Sequence, residues 1–289
     1  MHRRRAGERR IMVIMRPLYR VFSGVEMNEL RPVDIRTYIR NRRAQGLSAS
    51  TVNKEIGLLS AGINYARREW GWNIDNPAAG CREKEPEGRV RWISKAEAAA
   101  LLRAAENQYR TPHLVAFIVL ALNTGCRKGE LLNLDWQRVD LQRGLIHLYA
   151  EHTKAGKRRS IPLNTDARAA LLKRANYRAT NCPDSPWVFC HKNGERVQNV
   201  KRSFASVCQN VGITNFRIHD MRHTCAAWLV TAGVPLLEVR ELLGHSTIKM
   251  TERYAHLAPE NLRAAVSRLD GSSHSGHTQV MSPTLVSAK

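Results

Sequence analysis

The sequence predicts a mainly α-helical protein of two domains, the second of which carries a small antiparallel β-sheet. Three observations lead to this fold class. Apolar residues with helical spacing recur along most of the chain, two β-rich segments flank a glycine turn, and a charged segment poor in apolar residues separates two regions. A chain of 289 residues, of which 43% are hydrophobic, is long enough to build two ordinary cores.

Residues 1–80 are predicted to form a small helical domain with a basic outer face. Within residues 48–70 the apolar positions are separated by four, three, four and three residues, which places them on one stripe of a helix. These positions are Val52, Ile56, Leu59, Ile63 and Ala66. A second helix is predicted around Ile35 and Ile39, and Gly46 is expected to end it.

A linker is predicted at residues 81–91, because this segment is charged, poor in apolar residues and interrupted by a proline and a glycine. The second domain is predicted over residues 92–270. Ser94 and Glu97 mark its first helix, since they have the spacing of a capping box. Further helices are expected at about 112–123, 127–134, 165–175, 199–210, 218–232, 234–243 and 247–256.

The small sheet is predicted within this second domain. Residues 145–152 and 158–163 flank a turn at residues 155–156, so they are expected to pair as a β-hairpin. A short strand is also expected at Trp187–Phe189. Residues 271–289 are rich in Ser, Gly and Thr and are expected to form a mobile tail.

The charge of the chain makes nucleic acid the first partner to consider. The formal net charge is +21, and Lys and Arg recur along the chain instead of collecting in one tail. Such a charge attracts polyanions over the whole surface. A solubilising surface, a ribosomal protein and a membrane-surface protein are the alternatives, and no amphipathic membrane helix stands out. The candidate DNA contacts in the first domain are Thr51, Asn53, Lys54 and Arg67.

The protein is expected in the cytoplasm, with its cysteines reduced. The six cysteines form no CxxC pair and no even framework of spacings, so they are expected to be mostly buried thiols. The apolar run near the N-terminus, at residues 11–15, is too short for the core of a signal peptide and for a membrane span.

Two arginines from separate segments begin a predicted phosphate site. A phosphodiester under attack spreads negative charge over its non-bridging oxygens, and guanidinium groups match that geometry better than ammonium groups. Arg127 follows a Thr-Gly pair near the start of a helix, whose amides would add to a positive site. Arg222 lies three residues after His219, so on a helix the two side chains project to the same side. One could then hold a phosphate oxygen while the other donates or transfers a proton. Taken singly, each arginine is equally well explained as solvated surface.

The string HDMRH admits a second interpretation as a zinc site. His219 and His223 are four residues apart, as in the HExxH signature. The residue after the first histidine is Asp220 instead of Glu, and the charge of Arg222 would repel a cation. No metal is therefore expected, and His223 is predicted to be a packed or hydrogen-bonded structural histidine.

A general acid and a nucleophile complete the candidate chemistry. The hairpin carries four cations, and an ammonium in a flexible hairpin can protonate a departing 5′ oxygen. They are Lys154, Lys157, Arg158 and Arg159, and chemistry alone does not choose among them. Tyr254 follows a polar helical run and has a phenol that could attack phosphorus, although a tyrosine at helical spacing is usually part of a core.

Five strings in a fixed order resemble those of the tyrosine recombinase, or phage integrase, family. They are TGCR at 124–127, TK at 153–154 leading to IPL at 161–163, HDMRHTCAAWL at 219–229, LGHS at 243–246 and RYAH at 253–256. The resemblance covers about residues 92–258, and residues 48–70 are similar to the family's core-binding domain. It implies a helical core-binding domain followed by a catalytic domain of the DNA breaking-rejoining fold. That family usually has one more complete helix than residues 1–22 supply, so the first domain is expected to be abbreviated.

The resemblance also implies a role for each site residue. The catalytic set that it implies is Arg127, Lys154, His219, Arg222, His245 and Tyr254. The two arginines would bind the scissile phosphate, with Glu130 orienting Arg127. Lys154 would be the general acid, the first histidine would transfer protons, and the second would hydrogen bond to a phosphate oxygen. Tyr254 would form a 3′-phosphotyrosyl link, which conserves the bond energy and requires no cofactor.

The activity that the resemblance implies is site-specific recombination of double-stranded DNA. A homotetramer would act on two sites, a monomer or dimer would exist off DNA, and the helix at residues 260–269 would dock into a neighbouring subunit. No association with a membrane is expected. Two alternatives stay open: a type IB topoisomerase-like enzyme that relaxes supercoils as a monomer, and a non-catalytic DNA-binding relative of integrases.

Overall fold

Within the described residues, the computed structural model is mainly helical with one small antiparallel sheet, which confirms this part of the predicted fold class. The described part of the chain comprises residues 2–86, 88–153, 156–257, 266–267 and 269, with side chains from residue 7 onward. The predicted tail and most of the predicted docking helix lie outside these residues. Within them, no helix combines the length and the apolar character needed to cross a bilayer. Backbone contacts divide the chain into two compact units, Met1–Arg89 and Val90–Lys289.

The first unit is built from three helices in the described residues: α1 (His2–Phe22), α2 (Pro32–Ala44) and α3 (Ala49–Glu69). The residue that begins α2 is a proline, whose fixed φ suits the first helical position. Ser48 caps α3 by accepting a hydrogen bond from the backbone N–H of Thr51 at 3.3 Å. The segment expected to supply only a shortened first helix forms α1, which is continuous through Pro17.

Apolar faces of these three helices meet in a common core. Leu18 of α1 packs with Ile35 and Tyr38 of α2 and with Val52 and Ile56 of α3. All five side chains are buried, which confirms the apolar stripe predicted for α3.

Asn53 joins the start of the predicted linker to α3. Its amide nitrogen donates to the backbone carbonyl of Glu83 at 2.8 Å and to the carboxylate of Glu85 at 3.0 Å, and its amide oxygen accepts from the Glu83 N–H at 3.0 Å. Cys81 is buried in the core of the first unit. The first residues of the predicted linker therefore pack on the first unit. Asn53, a candidate DNA contact, is itself buried and engaged within the fold.

The helices of the second unit are α4 (Lys95–Glu106), α5 (Leu114–Thr124), α6 (Lys128–Leu132), α7 (Thr165–Asn181), α8 (Lys201–Asn210), α9 (Asp220–Thr231), α10 (Leu236–Leu243) and α11 (Lys249–Glu252). The capping box at Ser94 and Glu97 is confirmed by reciprocal hydrogen bonds of 3.1 and 2.7 Å. The helix predicted at 247–256 is wrong in extent, since α11 is followed by a 3-10 turn at Ala255–Leu257.

The sheet has three antiparallel strands in the order β1 (Val139–Asp140), β2 (Leu145–Leu148) and β3 (Arg159–Pro162). Ile146 of β2 lies opposite Ile161 of β3, which confirms the predicted hairpin. The strand predicted at Trp187–Phe189 is wrong. That segment makes only an isolated bridge between Trp187 and Asp135, and its apolar side chains are buried in the core instead.

Helix α5 lies at the centre of the second unit. It packs against α4, α7 and α9, and most of its side chains are buried. A helix that is apolar on nearly all sides belongs in the interior. A separate small cluster joins α9 and α10 and includes Val230, Val239, Leu243 and Tyr254. The end of α5 and this cluster together position the functional side chains.

Candidate active site

One cavity of about 530 Å³ brings together five of the six predicted catalytic residues. The five that line it are Arg127, His219, Arg222, His245 and Tyr254. They come from the end of α5, the start of α9 and the segment from α10 to the turn after α11. The sixth residue, Lys154, lies outside the described residues.

Arg127 occupies the cap position before α6 and is held there by Glu130. The Arg127 backbone N–H and guanidinium both donate to the Glu130 carboxylate, at 2.8 Å each. A second guanidinium nitrogen donates to the Gly244 carbonyl at 3.2 Å. The side chain retains 20% exposure, while that of Glu130 has 3%. Glu130 therefore fixes the direction of a partly exposed guanidinium that lines the cavity.

Arg222 is buried and is held by two backbone carbonyls. Its guanidinium donates to the Gly125 carbonyl at 2.7 Å and to the Leu243 carbonyl. Burial lowers the pKa of Arg222 to about 10, and the nearby charge of Arg127 acts in the same direction. The group remains a cation at neutral pH. Two guanidiniums thus lie at one cavity and create a strongly positive site for an anion.

Two glycines with positive φ allow these contacts. Gly125 ends α5 with φ +61°, and a Cβ there would lie 2.2 Å from the Leu243 side chain. Gly244 ends α10 with φ +64°, and a Cβ there would lie 2.8 Å from the Arg159 guanidinium. The left-handed conformation and the close approach both require glycine. This is the physical reason for a glycine in the strings TGCR and LGHS.

Arg159, another candidate DNA contact, belongs to this charge cluster, and only 10% of its side chain is exposed. Its guanidinium donates to both oxygens of Glu130, at 2.7 and 3.2 Å, and to the Leu242 carbonyl at 3.2 Å. Burial raises the pKa of Glu130, but the hydrogen bonds and charges of Arg159 and Arg127 outweigh it, so that pKa lies below its usual value. Glu130 is a carboxylate shared by two arginines. Lys157 and Arg158 are exposed on the hairpin.

His245 follows Gly244 and is a neutral imidazole. Its Nδ1 forms a 2.8 Å hydrogen bond with the hydroxyl of the fully buried Thr251. Burial, together with the charges of Arg222 and Arg127, lowers the pKa of His245 to about 3. The Thr251 contact fixes the ring beside the two arginines, where a neutral imidazole can donate to an anion without adding a charge.

Tyr254 is a buried member of the α9–α10 cluster, with 1% of its surface exposed. Its hydroxyl forms a hydrogen bond with Nδ1 of His223. Burial raises the pKa of Tyr254 to about 12, so the phenol is neutral. The side chain thus belongs to the core and also lines the cavity.

His223 is a site residue that the sequence interpretation treated only as structural. Its ring lies 5.0 Å from that of His219, centroid to centroid, and it lines the same cavity. The hydrogen-bonded role expected for it is present, but its partner is Tyr254. The sequence around His223 could not predict this hydrogen bond, because it joins residues that are 31 positions apart.

The remaining candidate contacts of the first unit are exposed. Thr51, Lys54 and Arg67 have exposed side chains on α3. Exposed basic and polar groups on a helix can contact phosphates.

Comparison with known proteins extends the similarity over most of the chain. Residues 91–261 match the model described as the Phage integrase family. The integrase of Salmonella phage P22 is 30% identical over 237 residues, covering 77% of this chain and 58% of that protein. The shufflon-specific DNA recombinase of Escherichia coli is 32% identical over 257 residues, covering 84% and 62%. Tyrosine recombinase XerC of Azotobacter vinelandii is 30% identical over 249 residues, covering 84% and 80%. The chain therefore spans about three fifths of the first two relatives.

Two solved structures show the same fold. The Tn1549 transposon integrase in complex with transposon right end DNA has a TM-score of 0.77 at 22% identity, covering 94% of this chain and 95% of that chain. A lambda integrase dimer bound to a core site has a TM-score of 0.69 at 19% identity, covering 85% and 70%.

Proposed function

The chain belongs to the phage integrase family of tyrosine recombinases, and we propose that it is a site-specific recombinase that cleaves and rejoins double-stranded DNA. The observation that carries the proposal is the cavity that brings the Tyr254 side chain together with three guanidiniums and three imidazoles. These groups suit a phosphodiester under attack, which gains negative charge on its non-bridging oxygens.

The proposed reaction begins with attack of the Tyr254 oxygen on the scissile phosphorus. Arg127 and Arg222 bind the non-bridging oxygens, and His245 donates a hydrogen bond to one of them. A bond forms between the tyrosine oxygen and phosphorus, and the bond to the 5′ oxygen breaks. The product is a 3′-phosphotyrosyl link and a free 5′ hydroxyl. Attack by a 5′ hydroxyl on this link rejoins DNA, so the bond energy is conserved.

The 5′ oxygen needs a proton as it departs. Lys154 is the proposed general acid, on the strength of its place in the TK string before the IPL run. His219 is the proposed second proton-transfer group, since it lines the cavity at the start of α9. Both Lys154 and His219 have side chains that can donate or accept a proton.

The two units have separate proposed roles. Residues 1–80 form the core-binding domain and contact DNA through α3, where Thr51, Lys54 and Arg67 are exposed. Residues 92–270 form the catalytic domain, whose hairpin adds Lys157 and Arg158. A homotetramer exchanges strands between two sites, and the protein is a monomer or dimer off DNA.

Capture of a covalent adduct tests the proposal. Denaturing purification of the protein from cells, followed by sequencing of any attached DNA, yields the target sequence. A nicked duplex of that sequence should then trap the wild type as a covalent adduct. Tyr254→Phe should bind the same duplex and form none, because it lacks only the nucleophilic oxygen. An adduct with Tyr254→Phe would show that another residue attacks.

Two outcomes would support the alternatives. Relaxation of a plasmid that lacks the captured sequence, without recombination, would indicate a type IB topoisomerase-like enzyme. Sequence-specific binding with no adduct under any condition would indicate a non-catalytic relative. The proposed recombinase should instead join two copies of the captured sequence and leave unrelated plasmids supercoiled.

A further inference from the structure

His223 contacts the oxygen atom that the proposed reaction uses as its nucleophile. Nδ1 of His223 and the Tyr254 hydroxyl form a hydrogen bond, and the two rings lie 6.0 Å apart between centroids. His223 is carried by α9, while Tyr254 follows α11, so the contact depends on the packing of these elements. Both side chains line the cavity that also contains the two arginines.

The direction of this hydrogen bond is assigned from the protonation states and the donor strengths of the two groups. Burial, together with the charges of His219, Arg253 and Arg222, lowers the pKa of His223 to about 4, while Asp220 opposes the shift. The imidazole is neutral at physiological pH and offers a lone pair. The phenol of Tyr254 is neutral as well and is the stronger donor. We assign the Tyr254 O–H as the donor to Nδ1, which places the His223 proton on Nε2.

We propose that His223 is a catalytic residue that accepts the phenolic proton of Tyr254 as the tyrosine oxygen attacks DNA. This inference rests on the proposed recombinase function. A phenol loses its proton readily only when its oxygen begins to bond to phosphorus. A base must already touch that oxygen at that moment, and His223 does so in this structure.

The proton balance of the step is complete. The tyrosine O–H bond breaks, its electron pair forms the bond to phosphorus, and the proton moves to Nδ1 of His223. The bond from phosphorus to the 5′ oxygen breaks, and the general acid supplies a proton to that oxygen. In rejoining, the imidazolium returns its proton to the departing tyrosine oxygen.

The charges around His223 explain how a weak base could act here. Arg222, Arg253 and His219 all disfavour an imidazolium at His223 in the free protein. A bound phosphodiester places a negative charge against the same groups, and the attacked phosphate gains a further charge. Coulombic attraction to these oxygens then favours protonation of His223, so DNA itself raises the basicity of the imidazole.

Substitution with asparagine separates proton transfer from positioning. The side-chain oxygen of asparagine occupies about the place of Nδ1, so His223→Asn can accept the hydrogen bond but cannot hold the proton. His223→Ala removes both functions and leaves space for a small base. Adduct formation on the captured nicked duplex should slow by about 10² to 10⁴ in both variants. Added imidazole should accelerate His223→Ala and leave the asparagine variant unchanged.

A modified substrate locates the defect on the nucleophile side. A duplex with sulfur in place of the 5′ bridging oxygen has a leaving group that needs no proton. This substrate should rescue Lys154→Ala but should leave His223→Asn slow. DNA affinity and thermal midpoint should match the wild type in the asparagine variant. His191→Asn is the matched control, because this exposed histidine does not line the cavity and should cleave at the wild-type rate.

Three results would overturn the inference. Cleavage by His223→Asn within about threefold of the wild type would show that a hydrogen bond suffices. Faster cleavage by either variant would show that His223 restrains the tyrosine instead of activating it. Rescue of His223→Asn by the sulfur substrate would place the defect at the leaving group. A wild type that forms no adduct would instead refute the proposed function, so the two failures are distinguishable.

Discussion

Replacing Arg159 with methionine should destabilise the second unit without changing the number of phosphates that the protein contacts. The guanidinium of Arg159 is 10% exposed and donates twice to Glu130. Methionine has a similar length and no charge, so the change removes the interaction and keeps most of the packing. It leaves Glu130 with Arg127 as its remaining guanidinium partner.

The size of the expected loss of stability follows from the burial of the Glu130 carboxylate. Removing one partner of a buried ion pair costs about 3 to 5 kcal/mol when the other charge is left alone. Here Arg127 still donates two hydrogen bonds to Glu130, so the loss should be smaller, at about 2 to 3 kcal/mol. For a domain of this size, that corresponds to a fall in Tm of roughly 5 to 10 °C.

Thermal unfolding and the salt dependence of DNA affinity together test this reasoning. Arg158→Met is the matched control, because Arg158 is the exposed neighbour on the same hairpin. It should change the stability by no more than about 0.5 kcal/mol and should reduce the salt slope of DNA binding by about one. Arg159→Met should leave that slope unchanged. Adduct formation should also slow, because Glu130 then holds Arg127 less firmly.

The opposite pattern would refute the reasoning. Equal thermal midpoints for the two variants would mean that the Arg159 to Glu130 contact contributes little. A reduced salt slope in Arg159→Met, with unchanged stability, would return Arg159 to the role of a DNA contact.

Three further predictions concern the fold. Gly125→Ala should lower the free energy of unfolding by about 2 to 4 kcal/mol, because its φ is +61° and its Cβ would meet Leu243. The control is Gly62→Ala, where a Cβ has open space. It should change the free energy of unfolding in urea by less than about 1 kcal/mol. Asn53→Ala should accelerate proteolysis at residues 81–86, since their hydrogen bonds to this amide are lost. An unchanged rate would contradict that role. Burial lowers the pKa of His113 to about 4, so only the unfolded chain binds a proton as the pH falls from about 6.5 to 4. The free energy of unfolding should therefore decrease as the pH falls through that window. In His113→Phe this decrease should be smaller than in the wild type, by up to about 1.4 kcal/mol per pH unit.

The local elements could be predicted where the sequence pattern itself contains the cause. The apolar stripe of α3 requires only helical spacing, and the capping box at Ser94 requires only two residues three positions apart. The strand predicted at Trp187–Phe189 failed for the converse reason. An apolar run shows that a segment is buried, but pairing depends on a neighbouring strand that periodicity cannot reveal.

The candidate site shows the same division. The order of its strings supplied Arg127, Arg222, His245 and Tyr254, and the cavity contains all four. The sequence could not distinguish Arg158 from Arg159, because the two are adjacent cations in one hairpin. They differ in the structure because Arg159, the first residue of β3, reaches Glu130, whereas Arg158 lies just before the strand and is exposed.

The sequence by itself determined the fold class, the family and the residue types available for chemistry on a phosphate. These depend on spacing along the chain, and spacing can be read directly. The tertiary structure decided which polar groups form hydrogen bonds with one another. Asn53 bonds to the segment after α3, Arg159 bonds to Glu130, and His223 bonds to Tyr254. Each of these contacts joins segments that are distant in sequence. Their partners are selected by the packing of whole elements, and no local pattern contains that information.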